Sequence, residues 1–98
     1  VEVTMDGGVA PGQLVPSTEW RIHRDVYVAR PDVHGVLHAH PMFSTTLAIL
    51  RREIPAVHYM IAAAGGPTIR VADYATYGTP ELSEHCLRAL EGRKACLM

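Results

Sequence analysis

Three prolines, Pro31, Pro41 and Pro80, divide the chain into pieces that admit only short elements. Proline fixes φ and lacks an N–H, so a helix can begin at one but cannot run through it. Arg30-Pro31-Asp32 therefore closes a helix that starts near Thr18, because the residue before proline avoids the α region. Ser17 or Thr18 can cap that helix, and Glu19 falls in its first turn, where negative charge suits the dipole. Its apolar stripe is Ile22, Val26 and Ala29, with Trp20 and Tyr27 beside it. Pro41 fits the first position of a second helix, running to about Arg51. Thr79-Pro80-Glu81 is a cap, a helix-first proline and a dipole-matching acid; the third helix runs to about Leu90 and stops at Gly92.

Extended segments fill the gaps. Val1–Met5 alternates apolar and polar residues, as a strand does. Asp6-Gly7-Gly8 and Gly65-Gly66-Pro67 are turns, and Ala10–Pro16 is a loop. Val33–Ala39 and Thr68–Ala72 read as strands, and Lys94–Met98 begins another. Ile54–Ile61, apolar and partly β-branched, fits either a helix or a strand. Strands alternating with helices over short connections predict an α/β layered sheet. Both end strands read as cut from a continuation, and no Met opens the chain. Residues 1–98 are thus expected to be the central portion of one larger domain.

Composition excludes several classes. Apolar residues make up 48% and charged residues 19% of 98, enough to drive folding of a globular domain. The formal charge of −1 lacks the basic excess that nucleic-acid binding uses. No apolar run reaches the roughly 18–20 residues that span a bilayer, and the opening Val-Glu-Val-Thr is no signal peptide. Cys86 and Cys96 are too few for a disulfide scaffold, so a reducing cytoplasm is expected. Cys86 lies on the apolar face of the third helix and reads as structural; Arg51-Arg52-Glu53 reads as a solvated turn.

The chemistry concentrates in Leu37-His38-Ala39-His40-Pro41. On a strand, side chains two residues apart share a face, so two imidazoles about 6–7 Å apart at the backbone stand side by side. That suits two ligands of one Zn²⁺ at about 2.0–2.1 Å. A catalytic zinc needs a third protein ligand. His23, His34, His58 and His85 are the imidazoles left within the chain, and a residue beyond Met98 is equally open. Pro16-Ser17-Thr18-Glu19 places two hydroxyls and a carboxylate at a helix start, which suits an anion; a plain cap is the simpler use of such a turn. Tyr59, beside His58, is the remaining proton-handling side chain of note, though a tyrosine there also serves core packing.

These residues together resemble the zinc-dependent class II aldolases of the aldolase/adducin superfamily, and within it the L-fuculose-phosphate aldolases. The matching stretches are Pro16–His23, Arg30–Val33, His38–His40, Ile54–Gly66, Tyr74–Thr79 and Glu81–Glu84, nearly the whole chain. The resemblance implies a three-layer αβα fold with a central, mostly antiparallel sheet, of which this chain is a part. It implies that His38 and His40 hold zinc and that the third histidine comes after Met98. Glu19 would be the acid/base carboxylate, and Ser17 and Thr18 would hold the substrate phosphate. Tyr59 would match a tyrosine that enters a neighbouring subunit's site, in a homotetramer. The remaining histidines match no ligand position. The implied reaction is reversible cleavage of a ketose 1-phosphate to dihydroxyacetone phosphate and an aldehyde. A pentulose-phosphate 4-epimerase, a sugar-phosphate dehydratase or decarboxylase, and a metal-free adducin-like module are the alternatives within the superfamily.

Overall fold

The computed structural model describes residues 1–98. Three helices carry the chain: α1 (Trp20–Ala29), α2 (Met42–Ile49) and α3 (Pro80–Ala89), with a 3₁₀ helix at Tyr59–Ala64. All three proline-bounded helices are therefore present. Pro41 occupies the cap position of α2 rather than its first turn. The Ile54–Ile61 stretch is neither one helix nor one strand: Ile54 pairs in extended fashion, 55–58 is irregular, and Tyr59–Ile61 opens the 3₁₀ helix.

α1 and α3 pack against each other and hold the core. Ile22 of α1, Leu82, Cys86 and Ala89 of α3, and Ala72 between them form the buried cluster, with Val26, Ile69 and Leu97 buried nearby. Ala29, expected on the α1 stripe, is exposed. Ser83, fully buried, donates to Asp25 Oδ2 at 2.5 Å and so ties the two helices through a satisfied polar contact. α3 begins as its sequence requires: Thr79 Oγ1 accepts from Leu82 N–H, Pro80 opens the helix and Glu81 lies in the first turn. Gly92 follows at φ 65°, in the left-handed region that a stop needs.

Cys86 is buried and free. Hydrogen bonding with Cys96, burial and the nearby Glu19 charge hold its thiol well above the usual range. It is a neutral packing group, as its helix position indicates. Gly7, at φ 91°, lets the N-terminal turn close over Trp20, whose ring would meet a Cβ there at 2.7 Å.

Extended pairing is sparser than the sequence pattern predicts. It is limited to three isolated bridges: Val3↔Val9 and Ile54↔Ile69, both antiparallel, and Val71↔Leu97, parallel. Val1–Met5, Thr68–Ala72 and Lys94–Met98 each contribute to a bridge, but Val33–Ala39 pairs with nothing. Strand-forming residues make a strand only where a neighbour accepts their backbone bonds, and no segment of the 98 residues lies alongside this one. Leu37 is 92% exposed in consequence. A gap of about 1950 Å³ separates Asp32–Pro41 and α2 from α1, α3 and the C-terminal segment. α2 buries none of its residues.

Arg51 departs from the solvated-turn expectation. It adopts φ 56°, unusual for a non-glycine residue, and is held by two contacts. Its guanidinium donates to Ala72 O at 2.9 Å and to Asp73 Oδ1 at 2.7 Å. The end of α2 is thereby pinned to the segment that leads into α3.

Candidate active site

An open cleft of about 660 Å³ lies at the start of α1 and is lined by Ser17, Thr18, Glu19, His23, His38, His40 and Tyr77. Five of the six residues singled out from sequence meet there. The sixth, Tyr59, does not line it. Tyr59 is 80% exposed and its ring lies 4.4 Å from that of His58.

His38 and His40 lie on one side of their segment, ring centroids 4.7 Å apart and tilted by 37°. The i, i+2 geometry thus holds without a formed strand. Two adjacent imidazoles are donors of the type zinc takes. No third His, Cys, Asp or Glu joins them in a three-donor group. The pair fits a zinc site as two of its ligands.

The turn before α1 differs in detail from the expected cap. Glu19 occupies the cap position, and its side chain caps nothing. Ser17 Oγ accepts from Glu19 N–H at 3.2 Å. That leaves the Ser17 hydroxyl proton free to donate, and the Thr18 hydroxyl makes no hydrogen bond within the chain. Both residues are exposed.

Glu19 is directed elsewhere by the loop before α3. Gly78 N–H donates to Glu19 Oε1 at 3.2 Å, while Oε2 is buried without a hydrogen-bond partner. A buried carboxylate oxygen left unmatched is costly, and such atoms collect where chemistry uses them. Gly78 sits at φ 75°, and a Cβ there would stand 3.3 Å from Thr18 O. Gly78→Ala should therefore cost about 1–2 kcal/mol of stability, from backbone strain in the left-handed region. It should also lower activity of the whole protein by loosening Glu19. Urea unfolding and steady-state rates on the one variant check both.

Tyr77 reaches the cleft without having been assigned a place in it, and His23, weighed as a third metal ligand, lines the cleft without completing a three-donor group. Tyr77 belongs to the Tyr74–Thr79 stretch, just before the cap of α3. His23 follows Glu19 by four residues on α1, a spacing that puts both on one helix face. That spacing was visible in the sequence and was the signal available for His23.

The family described as Class II Aldolase and Adducin N-terminal domain matches residues 1–98. The chain belongs to that family. It is 60% identical over 87 residues to a 5-methylthioribulose-1-phosphate/5-deoxyribulose-1-phosphate aldolase of Rhodospirillum rubrum, covering 89% of this chain and 39% of that protein. It is 56% identical over 84 residues to the L-fuculose phosphate aldolase of Escherichia coli K12, covering 86% and 39%. A solved structure of an L-fuculose 1-phosphate aldolase superposes with a TM-score of 0.89 at 47% identity, covering 97% of this chain and 44% of that one. The chain thus spans less than half the length of these relatives, and its backbone follows the class II aldolase fold. No helix is long and apolar enough to cross a membrane.

Proposed function

We propose that the protein carrying this chain is a zinc-dependent, class II aldolase that reversibly cleaves a ketose 1-phosphate to dihydroxyacetone phosphate and an aldehyde. The observation that carries this reading is the meeting of His38, His40, Glu19, Ser17 and Thr18 in one cleft. His38 and His40 hold the metal, with the third histidine supplied from beyond Met98. When bound, zinc acts as a Lewis acid that stabilises negative charge on the substrate oxygens by several kcal/mol.

The chain's own residues do the rest. The Ser17 and Thr18 hydroxyls donate to the substrate phosphate and fix its position at the start of α1. Glu19, anchored through Oε1 by Gly78, offers the unpartnered Oε2 as the atom that takes or returns a proton. Positioned proton transfer of this kind contributes typically about 10²–10⁴-fold. Tyr59 is the second proton-handling group and acts in the cleft of a neighbouring copy. Its exposure and its place outside the lining of its own cleft support that placement. Such an arrangement requires a homo-oligomer, which we take to be a tetramer acting in the cytoplasm.

Residues 1–98 form the central portion of one three-layer αβα domain with a mostly antiparallel sheet. The unpaired Val33–Ala39 segment and the gap beside it support that reading. Two substrates follow from the relatives' names: L-fuculose 1-phosphate, and a 5-deoxy- or 5-methylthioribulose 1-phosphate, the latter favoured by the 60% identity. Each splits between C3 and C4, so both yield dihydroxyacetone phosphate. Product analysis of the whole protein should show that triose phosphate, with turnover lost on chelation and regained with Zn²⁺. Chelator-resistant cleavage, or an epimeric sugar phosphate as the sole product, would overturn the assignment.

A further inference from the structure

We propose that His23 is a further substrate-contacting residue, whose imidazole pairs with the phosphate of the sugar phosphate; this rests on the placement of that phosphate at Ser17 and Thr18. A phosphate ester entering this cleft is a dianion, and Glu19 already places a carboxylate there. No Lys or Arg lines the cleft.

Arg21 and Arg24 of α1 lie outside the cleft lining, and Arg21 Nε has no hydrogen-bond partner. Arg24 donates to Asp25, and Arg21 and Arg24 both lie over the Trp20 ring, at 5.1 and 5.2 Å. Arg30 pairs with Asp32, Arg51 with Asp73, and Arg93 binds Gly65 O. The charged and titratable groups that face the cleft are Glu19, His23, His38, His40 and Tyr77. His38 and His40 are taken by the metal and Glu19 by proton transfer. Tyr77 is 71% exposed, whereas His23 is half-buried.

His23 remains. It is half-buried in the cleft wall and makes no hydrogen bond within the chain. It joins no three-donor metal group. A His23 ring N–H donating to an ionised phosphate oxygen makes a charge-assisted bond, added to those of the Ser17 and Thr18 hydroxyls.

The test uses the whole, zinc-loaded protein and inorganic phosphate as a competitive inhibitor. His23→Gln should raise both KM for the ketose phosphate and Ki for inorganic phosphate about tenfold, the loss expected for one hydrogen bond to a charged group. Its kcat should fall far less, and its zinc content should match wild type. His23→Asn should behave alike. In unmutated protein labelled at histidine Cε1, added phosphate should shift the His23 resonance. An unchanged Ki in a folded variant, or an unmoved resonance, overturns the proposal. Ser17→Ala and Thr18→Val separate it from the reading beneath it. If they raise Ki and His23→Gln does not, only the role of His23 fails. If none of the three raises Ki, the phosphate placement fails with it.

Discussion

Glu19→Gln is expected to lower kcat by about 10²–10⁴-fold, the range that one positioned proton-transfer group supplies. The substitution isolates the proton. Glutamine keeps the length of the side chain, and its carbonyl can still accept from Gly78 N–H, as Glu19 Oε1 does at 3.2 Å. What disappears is the basic oxygen at the buried, unpartnered Oε2. KM and zinc content should stay near wild type, because neither the hydroxyl pair nor the two imidazoles is touched. Thermal stability should not fall with activity, since a buried carboxylate oxygen without a partner destabilises the fold that holds it. Steady-state kinetics, metal analysis and a melting curve together decide the point. A kcat within threefold of wild type would remove Glu19 from the proton path.

Leu82→Ala is expected to cost about 2–5 kcal/mol in the whole protein, read from urea unfolding. Leu82 is 5% exposed and faces Ile22 across the α1–α3 contact. That contact joins two ends of one site: Glu19 occupies the position before α1, while Gly78, which binds Glu19, precedes the cap of α3. The buried cluster has only five members, so few side chains are available to close the cavity. A cost below about 1 kcal/mol would mean that the site relaxes freely, contrary to close packing.

The sequence made the helices legible because their ends are chemically marked. Thr79-Pro80-Glu81 and Gly92 bound α3 by capping, fixed φ and a left-handed stop, all local effects. The imidazole pair was legible for the same reason: alternation along an extended segment is a property of the backbone, and the rings lie 4.7 Å apart even without a paired strand. What local chemistry does not encode is the partner. Val33–Ala39 has the residues of a strand and finds no neighbour among these 98 residues. Glu19 was expected to serve the α1 dipole, yet Gly78, 59 residues away, claims its carboxylate. Tyr77 entered the cleft through the packing of α1 against α3 and the loop before it, which no single stretch announces. The left-handed Arg51 was missed likewise, because its contacts with Ala72 and Asp73 are long-range.

That arginine closes a mechanical circuit. From His40 the chain enters α2 at Pro41; Arg51 clamps its far end to Asp73; the loop from Asp73 reaches Gly78, which grips Glu19. The eight-residue α2 is therefore a spacer between the imidazole pair and the Glu19 carboxylate, although it buries nothing of its own. Inserting one residue in it would rotate the strut by about 100°. The offset would be felt by the carboxylate and the imidazoles, with every reactive group chemically intact.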